Sequence, residues 1–324
     1  MGKIIYLPLE HIDSRYTTHM DRDITSYLEK SDLHCIKIYP DIPAPKSMKA
    51  GSFLDAEFTI RFKAAQLEEV ARLYRDDVIV SGDIIWSSDL WHPGLPESIA
   101  YMNYFTKKDV KLRGLIHAGS FTDTDFVRDM ERWAKNFEDT LFDIADRIYC
   151  GSNFIKQDII KKRLINPDKL VPTGFPLDTL ELDKIKKTKK EDIVIFSARN
   201  VDEKQPWLFT QMRDTLGDNN IQFINTLEHN FSKQEYYELL AKSKVVVSFA
   251  LQENFGFSVA EAVYLGCVPV IPNRLVYPEF YPKKYLYNTF DEACKMVSDN
   301  VYGDNNIIKN PNDFQDSIER WFND

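Results

Sequence analysis

The chain contains no apolar run of about 18 residues, so nothing in it reads as a membrane-spanning helix. Its opening residues, MGKIIYLPLEHID, reach Glu10 and Asp13 too soon for a secretory signal. Cysteine is scarce: Cys35, Cys150, Cys267 and Cys294 stand far apart with no C-x-x-C pair. That spacing argues against a structural zinc and fits a reducing compartment. With only 12 glycines, a fibrous chain and a long glycine-rich loop are both excluded. The patterns G-x-x-x-x-G-K-[ST], G-x-G-x-x-G and G-x-S-x-G are absent, which leaves P-loop, classical dinucleotide-binding and α/β-hydrolase readings without support. Positive charge is not in excess either. A net charge of -9 rules out a basic nucleic-acid coat, while a local basic patch could still serve a nucleic-acid substrate. These absences together read as a soluble, cytoplasmic protein.

A hydrophobic share of 44% and a charged share of 28% are those of a folded globular chain, and 324 residues suit two domains. Short strand candidates alternate with helical stretches: residues 3–9, 34–39, 78–86, 112–117 and 147–150 read as strands. Residues 126–144 carry apolar side chains at 126, 130, 133, 137, 141 and 144, one helix face. Such alternation implies βαβ units and a parallel sheet. The pattern breaks at the lysine-rich Leu182–Glu191, read as a solvated linker, with a phosphate-binding patch as the sharper alternative. It then restarts with nearly unbroken apolar runs at 193–198, 221–224, 245–251 and 268–271, which suit parallel strands buried on both faces. The expected domains are 1–180 and 181–310, with a helix in 311–324 (Phe314, Ile318 and Trp321 on one face) returning to the first.

The most informative stretch is Val245–Pro278. A buried strand leads into a short loop with Glu253 and Gly256. A helix is expected from Ser258, with Ser258 and Glu261 spaced as a capping box, ending at Gly266. The loop and helix start would lie at the carboxyl end of a parallel sheet, where open α/β sheets bind ligands, and the amides of residues 255–259 would face an anion. Fifty residues earlier, the strand 193–198 runs into Arg199 and, five positions on, Lys204.

Glu253 and Glu261 with seven residues between them resemble the E-x7-E signature of retaining GT-B glycosyltransferases, above all family four. The Arg199/Lys204 spacing resembles the same family's diphosphate loop, although Ala198 and Gln205 replace its usual glycines. The resemblance implies two Rossmann-like, doubly wound parallel-sheet domains facing across a cleft. It implies a nucleotide diphosphate sugar as donor on the second domain, with no cofactor and no metal, since Arg199, Lys204 and the helix start already neutralise the diphosphate. Carried over, Glu253 meets the sugar, Asn254, Phe255, Gly256, Phe257 and Ser258 line the donor with amides, and Glu261 grips the ribose. His117 ends a strand in His-Ala-Gly-Ser, where the family places a histidine toward the acceptor. The family's Gly-Gly loop after the first strand is absent. Residues 10–18 replace it, so Arg15 and Tyr16 are candidates on the acceptor side. The opening segment is also similar to glycosyltransferase-like proteins of large bacteriophages.

Other readings stand beside this one. Asp123-Thr-Asp125 and Asp21-Arg-Asp23 are D-x-D tripeptides of the kind that hold a metal in GT-A enzymes, but 50 acidic residues make chance occurrences expected. His92, in Trp-His-Pro-Gly, reads as a turn histidine. The aromatics of residues 86–104, followed by Lys107, Lys108, Lys111 and Arg113, suit either core packing or a stacking platform for a nucleic-acid acceptor. The activity implied is sugar transfer to an acceptor hydroxyl. Its rivals are a phage-type DNA glycosyltransferase acting on hydroxymethylated bases and an inactive GT-B protein that binds a nucleotide sugar.

Overall fold

The computed structural model describes residues 2–12, 16–43, 55–125, 127–217, 220–302 and 316–323. Arg15, Phe126 and Phe314 therefore lie outside the described residues. The chain divides into two compact units, one of residues 1–176 with 316–324 and one of residues 177–315.

The first unit runs β1 (Ile4–Leu7), α1 (Thr17–Lys30), β2 (Cys35–Lys37), α2 (Ala56–Arg75), β3 (Ile84–Ser87), α3 (Leu95–Thr106), β4 (Lys111–Ile116), α4 (Glu131–Ile144), β5 (Arg147–Cys150), α5 (Asn153–Lys162) and β6 (Leu170–Pro172). Its six strands pair in parallel in the order β2-β1-β3-β4-β5-β6. Alternate residues face opposite sides of this sheet. Ile85, Leu112, Ile148 and Cys150 enter a core shared with Leu73, Leu95, Ile99, Leu141 and Ile159 from the helices. Strand β3 is shorter than residues 78–86 suggest, because the chain turns at Gly82 (φ 89°) and pairs only from Ile84. Trp133 is 48% exposed rather than on the buried face of α4, and it packs on Trp91 with ring centroids 5.7 Å apart.

The terminal helix α12 (Asp316–Asn323) belongs to this first unit. Ser317 Oγ donates to the Thr173 carbonyl at 2.7 Å, and Trp321 Nε1 donates to Thr173 Oγ1 at 2.8 Å. Trp321 and Phe322 cover Trp86, which is wholly buried.

The second unit runs α6 (Thr179–Leu182), β7 (Glu191–Phe196), α7 (Pro206–Leu216), β8 (Gln222–Asn225), α8 (Lys233–Lys242), β9 (Ser243–Val247), α9 (Phe257–Tyr264), β10 (Val268–Pro272), α10 (Tyr277–Phe280), β11 (Leu286–Tyr287) and α11 (Phe290–Tyr302). Its five parallel strands follow the order β11-β10-β9-β7-β8. The central strands are buried on both faces, so Val194, Ile195, Val246 and Val270 are all inaccessible, as unbroken apolar runs require. The lysine-rich stretch is not solvated throughout. Lys190 Nζ donates to the carbonyls of Leu240 (3.2 Å) and Leu265 (2.8 Å), tying its end to the carboxyl ends of α8 and α9. Among the described residues no helix is long and apolar enough to cross a membrane.

Candidate functional site

Two loops meet at the carboxyl edge of the second sheet. The first leaves β7 and passes through a single 3-10 turn, Asp202–Lys204, before Gln205 takes a left-handed conformation (φ 50°) and Pro206 opens α7. The second leaves β9 and ends at Gly256. The Leu251 amide donates to the Glu203 carbonyl at 2.7 Å and fastens one loop to the other. Lys204, only 7% exposed, completes the joint. Its Nζ donates to the Gln252 carbonyl and lies 3.2 Å from Glu253 Oε2. Arg199 points outward from the same loop, half-exposed, with a guanidinium nitrogen 3.1 Å from Glu203 Oε1. Glu253, Lys204 and Arg199 are thus brought to one sheet edge, the first two in direct contact.

Gly256 sets the direction of the helix that follows. Its φ of 84° is a left-handed value, and a Cβ there would lie 3.3 Å from Tyr277 Cε1 and 3.5 Å from Glu253 Cγ. Helix α9 consequently begins at Phe257 with no side chain capping it, one residue before the start that the Ser258/Glu261 pattern predicts. The capping box does not form. A left-handed glycine opens the helix, and Glu261 falls a turn inside it. The first amides of α9 have no acceptor within the helix and present a partial positive charge. Phe255 is buried, packed on Phe257 (4.7 Å) and Phe280 (5.6 Å), while Gln252 Nε2 donates to Asn254 Oδ1 at 2.9 Å.

Glu261 faces α8 instead of its own helix start. Tyr237 donates its hydroxyl to Glu261 Oε1 at 3.1 Å. Burial lifts the Glu261 carboxyl to about 7, against the pull of Tyr237 and Lys233. Its surroundings are built by Lys233, which reaches Asp178 at 2.8 Å, and by Tyr236, which accepts from Ser197 Oγ at 2.9 Å. Sequence reasoning missed Tyr236 and Tyr237. Their one visible signal is a pair of tyrosines in the first turns of an amphipathic helix.

In the first unit, His117 follows β4 and sits between three groups. Its Nε2 lies 2.7 Å from the Ser88 carbonyl, which can only accept, so Nε2 carries the proton and Nδ1 accepts from the Tyr16 hydroxyl at 3.2 Å. The Phe175 ring stacks on it at 5.0 Å. Burial lowers its pKa, which favours the neutral ring. The loop behind it is pinned by Glu138, which is fully buried. That carboxylate accepts from the Ser120 amide (2.6 Å), Trp91 Nε1 (3.0 Å), Ser120 Oγ (2.9 Å) and Arg163 Nε (2.6 Å). This network escaped the sequence reading, because its members are 18 to 47 positions from Glu138. His92 is buried against Gln66, with its pKa pushed down to about 3 by burial, in keeping with a structural turn histidine. The D-x-D aspartates are engaged elsewhere: Asp123 pairs with Lys162, Asp125 accepts from the Val127 amide, and Asp21 holds Lys37 and His11.

No known protein-family model matches the sequence. A tRNA-queuosine alpha-mannosyltransferase of Drosophila melanogaster is 32% identical over 157 residues, which is 48% of this chain and 36% of that protein. The chain therefore spans about a third of the length of this curated relative. Among solved structures, the lipopolysaccharide outer core galactosyltransferase WaaB superposes with a TM-score of 0.63 at 12% identity, covering 98% of this chain and 95% of that one. The Anabaena HepE structure in complex with UDP and glucose gives 0.59 at 12% identity, covering 99% and 96%. The fold is GT-B, built from two parallel-sheet α/β domains of six and five strands.

Proposed function

We propose that this protein is a retaining, metal-independent glycosyltransferase that moves a sugar from a nucleoside diphosphate sugar to an acceptor hydroxyl. The observation that carries the reading is the joint at the second sheet's carboxyl edge, where Lys204 spans both loops to reach Glu253 beside the uncapped start of α9. A cation, a carboxylate and oriented amides in one place suit a donor that is anionic at the diphosphate and hydroxylated at the sugar. The anomeric carbon–oxygen bond breaks, and its electron pair leaves with the diphosphate. Arg199, Lys204 and the α9 amides oppose the charge that grows there. The acceptor oxygen bonds to the anomeric carbon from the face the leaving group vacates, and its proton passes to a leaving phosphate oxygen. Glu253 orients the sugar, and Glu261 accepts from the ribose hydroxyls. His117 and Tyr16, which share a hydrogen bond in the first unit, are the proposed acceptor-side groups, with Arg15 proposed from the sequence alone.

The likeness to a tRNA-queuosine alpha-mannosyltransferase supports a hydroxyl on a modified nucleotide as acceptor, and so a nucleic-acid partner. The test is incubation with UDP-, GDP- and ADP-sugars, with tRNA and with hydroxymethylated DNA in parallel, scoring sugar on the nucleic acid and the released nucleoside diphosphate. Transfer with retained anomeric configuration, undiminished in EDTA, is expected. Failure to bind any nucleotide sugar would overturn the reading, and a strict need for a divalent ion would overturn its metal-independent part.

A further inference from the structure

Helix α3 carries three large aromatic side chains that the fold does not use. Tyr101, Tyr104 and Phe105 are 62%, 68% and 61% exposed, although the same helix buries Leu95 and Ile99 completely. They form one cluster, with Phe105 at 4.5 Å from Tyr101 and 5.1 Å from Tyr104 between ring centroids. Isolated exposed apolar residues are ordinary, but a contiguous set marks an interaction surface. Just beyond it, Lys107 lays its ammonium over the Tyr104 ring at 4.4 Å and enters no ion pair among the described residues. The neighbouring lysines are committed, Lys108 to Asp77 and Lys111 to Asp109 and Asp146.

We propose that the Tyr101/Tyr104/Phe105 cluster with Lys107 is a docking platform for unpaired bases of an RNA acceptor, away from the reacting hydroxyl. This rests on the nucleic-acid acceptor reading given above. Helix α3 starts near the carboxyl edge of β3 and descends beside the sheet, at 1.5 Å per residue. The cluster sits roughly 10–15 Å down that path. A small acceptor held at the carboxyl edge cannot span that distance, whereas a polynucleotide can. Aromatic faces stack on any base, and a free ammonium beside them matches a phosphate. A second copy of this chain is a poorer occupant. A two-fold contact centred on the cluster would bring the Lys107 ammoniums of both copies together.

The test uses the full chain and a fluorescein-labelled RNA hairpin with an unpaired loop, beside a blunt RNA duplex, read by anisotropy at fixed salt. The combined variant Tyr101→Ala/Tyr104→Ala/Phe105→Ala alters exposed side chains only, and an unchanged far-ultraviolet circular dichroism spectrum and thermal melt confirm its fold. We expect hairpin affinity to fall at least about tenfold, as the loss of one or more stacked bases requires. Tyr104→Phe, which keeps the ring, should retain wild-type affinity, and the duplex should bind weakly to every form. Equal hairpin affinity in the triple variant would overturn the proposal. So would a change in oligomeric state, or in binding to anionic lipid vesicles, without a change in RNA binding. A wild-type chain that binds UDP but no RNA would refute the platform and leave the sugar-donor reading standing. A chain that binds neither RNA nor any of UDP, GDP and ADP would remove both.

Discussion

Replacing Glu261 with glutamine should make the folded protein more stable and the donor site worse, and the two effects should separate with pH. The carboxyl is lifted from an ordinary 4.5 to about 7, chiefly by burial. Between those values the folded chain keeps a proton that the unfolded chain has released. Stability contributed by this group is therefore full below about pH 4.5 and is lost as pH rises to about 7. At about 1.4 kcal/mol per pH unit, ionising Glu261 at pH 8 costs on the order of 3 kcal/mol, an upper bound since nearby Lys233 and the tyrosines relax around it. Glutamine keeps an oxygen for the Tyr237 hydroxyl and never ionises. Glu261→Gln should thus gain up to about 3 kcal/mol at pH 8 and almost nothing at pH 4.5. Thermal melts of both proteins across that range measure it. If Glu261 holds the ribose as proposed, the same change removes a charged acceptor from it and should weaken nucleotide-sugar affinity roughly ten- to a hundredfold at pH 8. Wild-type affinity should rise from pH 6 to 8, while the variant's stays flat. If the melting difference between the proteins did not vary with pH, the burial of an ionisable Glu261 would be refuted.

Three further outcomes follow from the geometry. Arg199→Ala and Lys204→Ala should lower kcat more than donor affinity, and the double variant should lose less than the sum if both face one diphosphate; near-normal kcat in both single variants would contradict their role. Gly256→Ala should cost on the order of 1–2 kcal/mol from its left-handed backbone and from crowding against Tyr277, and should raise the donor KM; an unchanged melt would contradict a strained start to α9. Glu138→Ala should destabilise by about 3–5 kcal/mol, because Arg163 is left buried and uncompensated; a loss under about 1 kcal/mol in chemical denaturation would show that the network relaxes.

Local signals carried the sheet of the second unit. Short unbroken apolar runs suit strands buried on both faces, and residues 194–196 and 245–247 pair in parallel. The meeting of Arg199, Lys204 and Glu253 at one edge was legible too, since each follows a strand of that sheet. The capping box was misread for a specific reason. The S-x-x-E spacing of Ser258 and Glu261 is correct, but a left-handed glycine two residues earlier sets the helix start. Glu261 is thereby turned toward Tyr237, 24 positions away, a pairing that no local pattern encodes. The aromatic stretch 86–104 divided for a similar reason. Trp86 is buried beneath the terminal helix and Trp91 bonds to Glu138, whereas Tyr101 and Tyr104 stay exposed, and only the fold decides which residues find cover.

Amide hydrogen exchange with and without a saturating nucleotide sugar would locate the donor on the chain. Slowed exchange is expected at residues 199–204 and 255–260, the two loops joined by Lys204 and the start of α9, with the same regions unprotected by the free sugar alone. Protection confined to the first unit, or none at either loop under conditions where calorimetry shows binding, would contradict that placement of the donor.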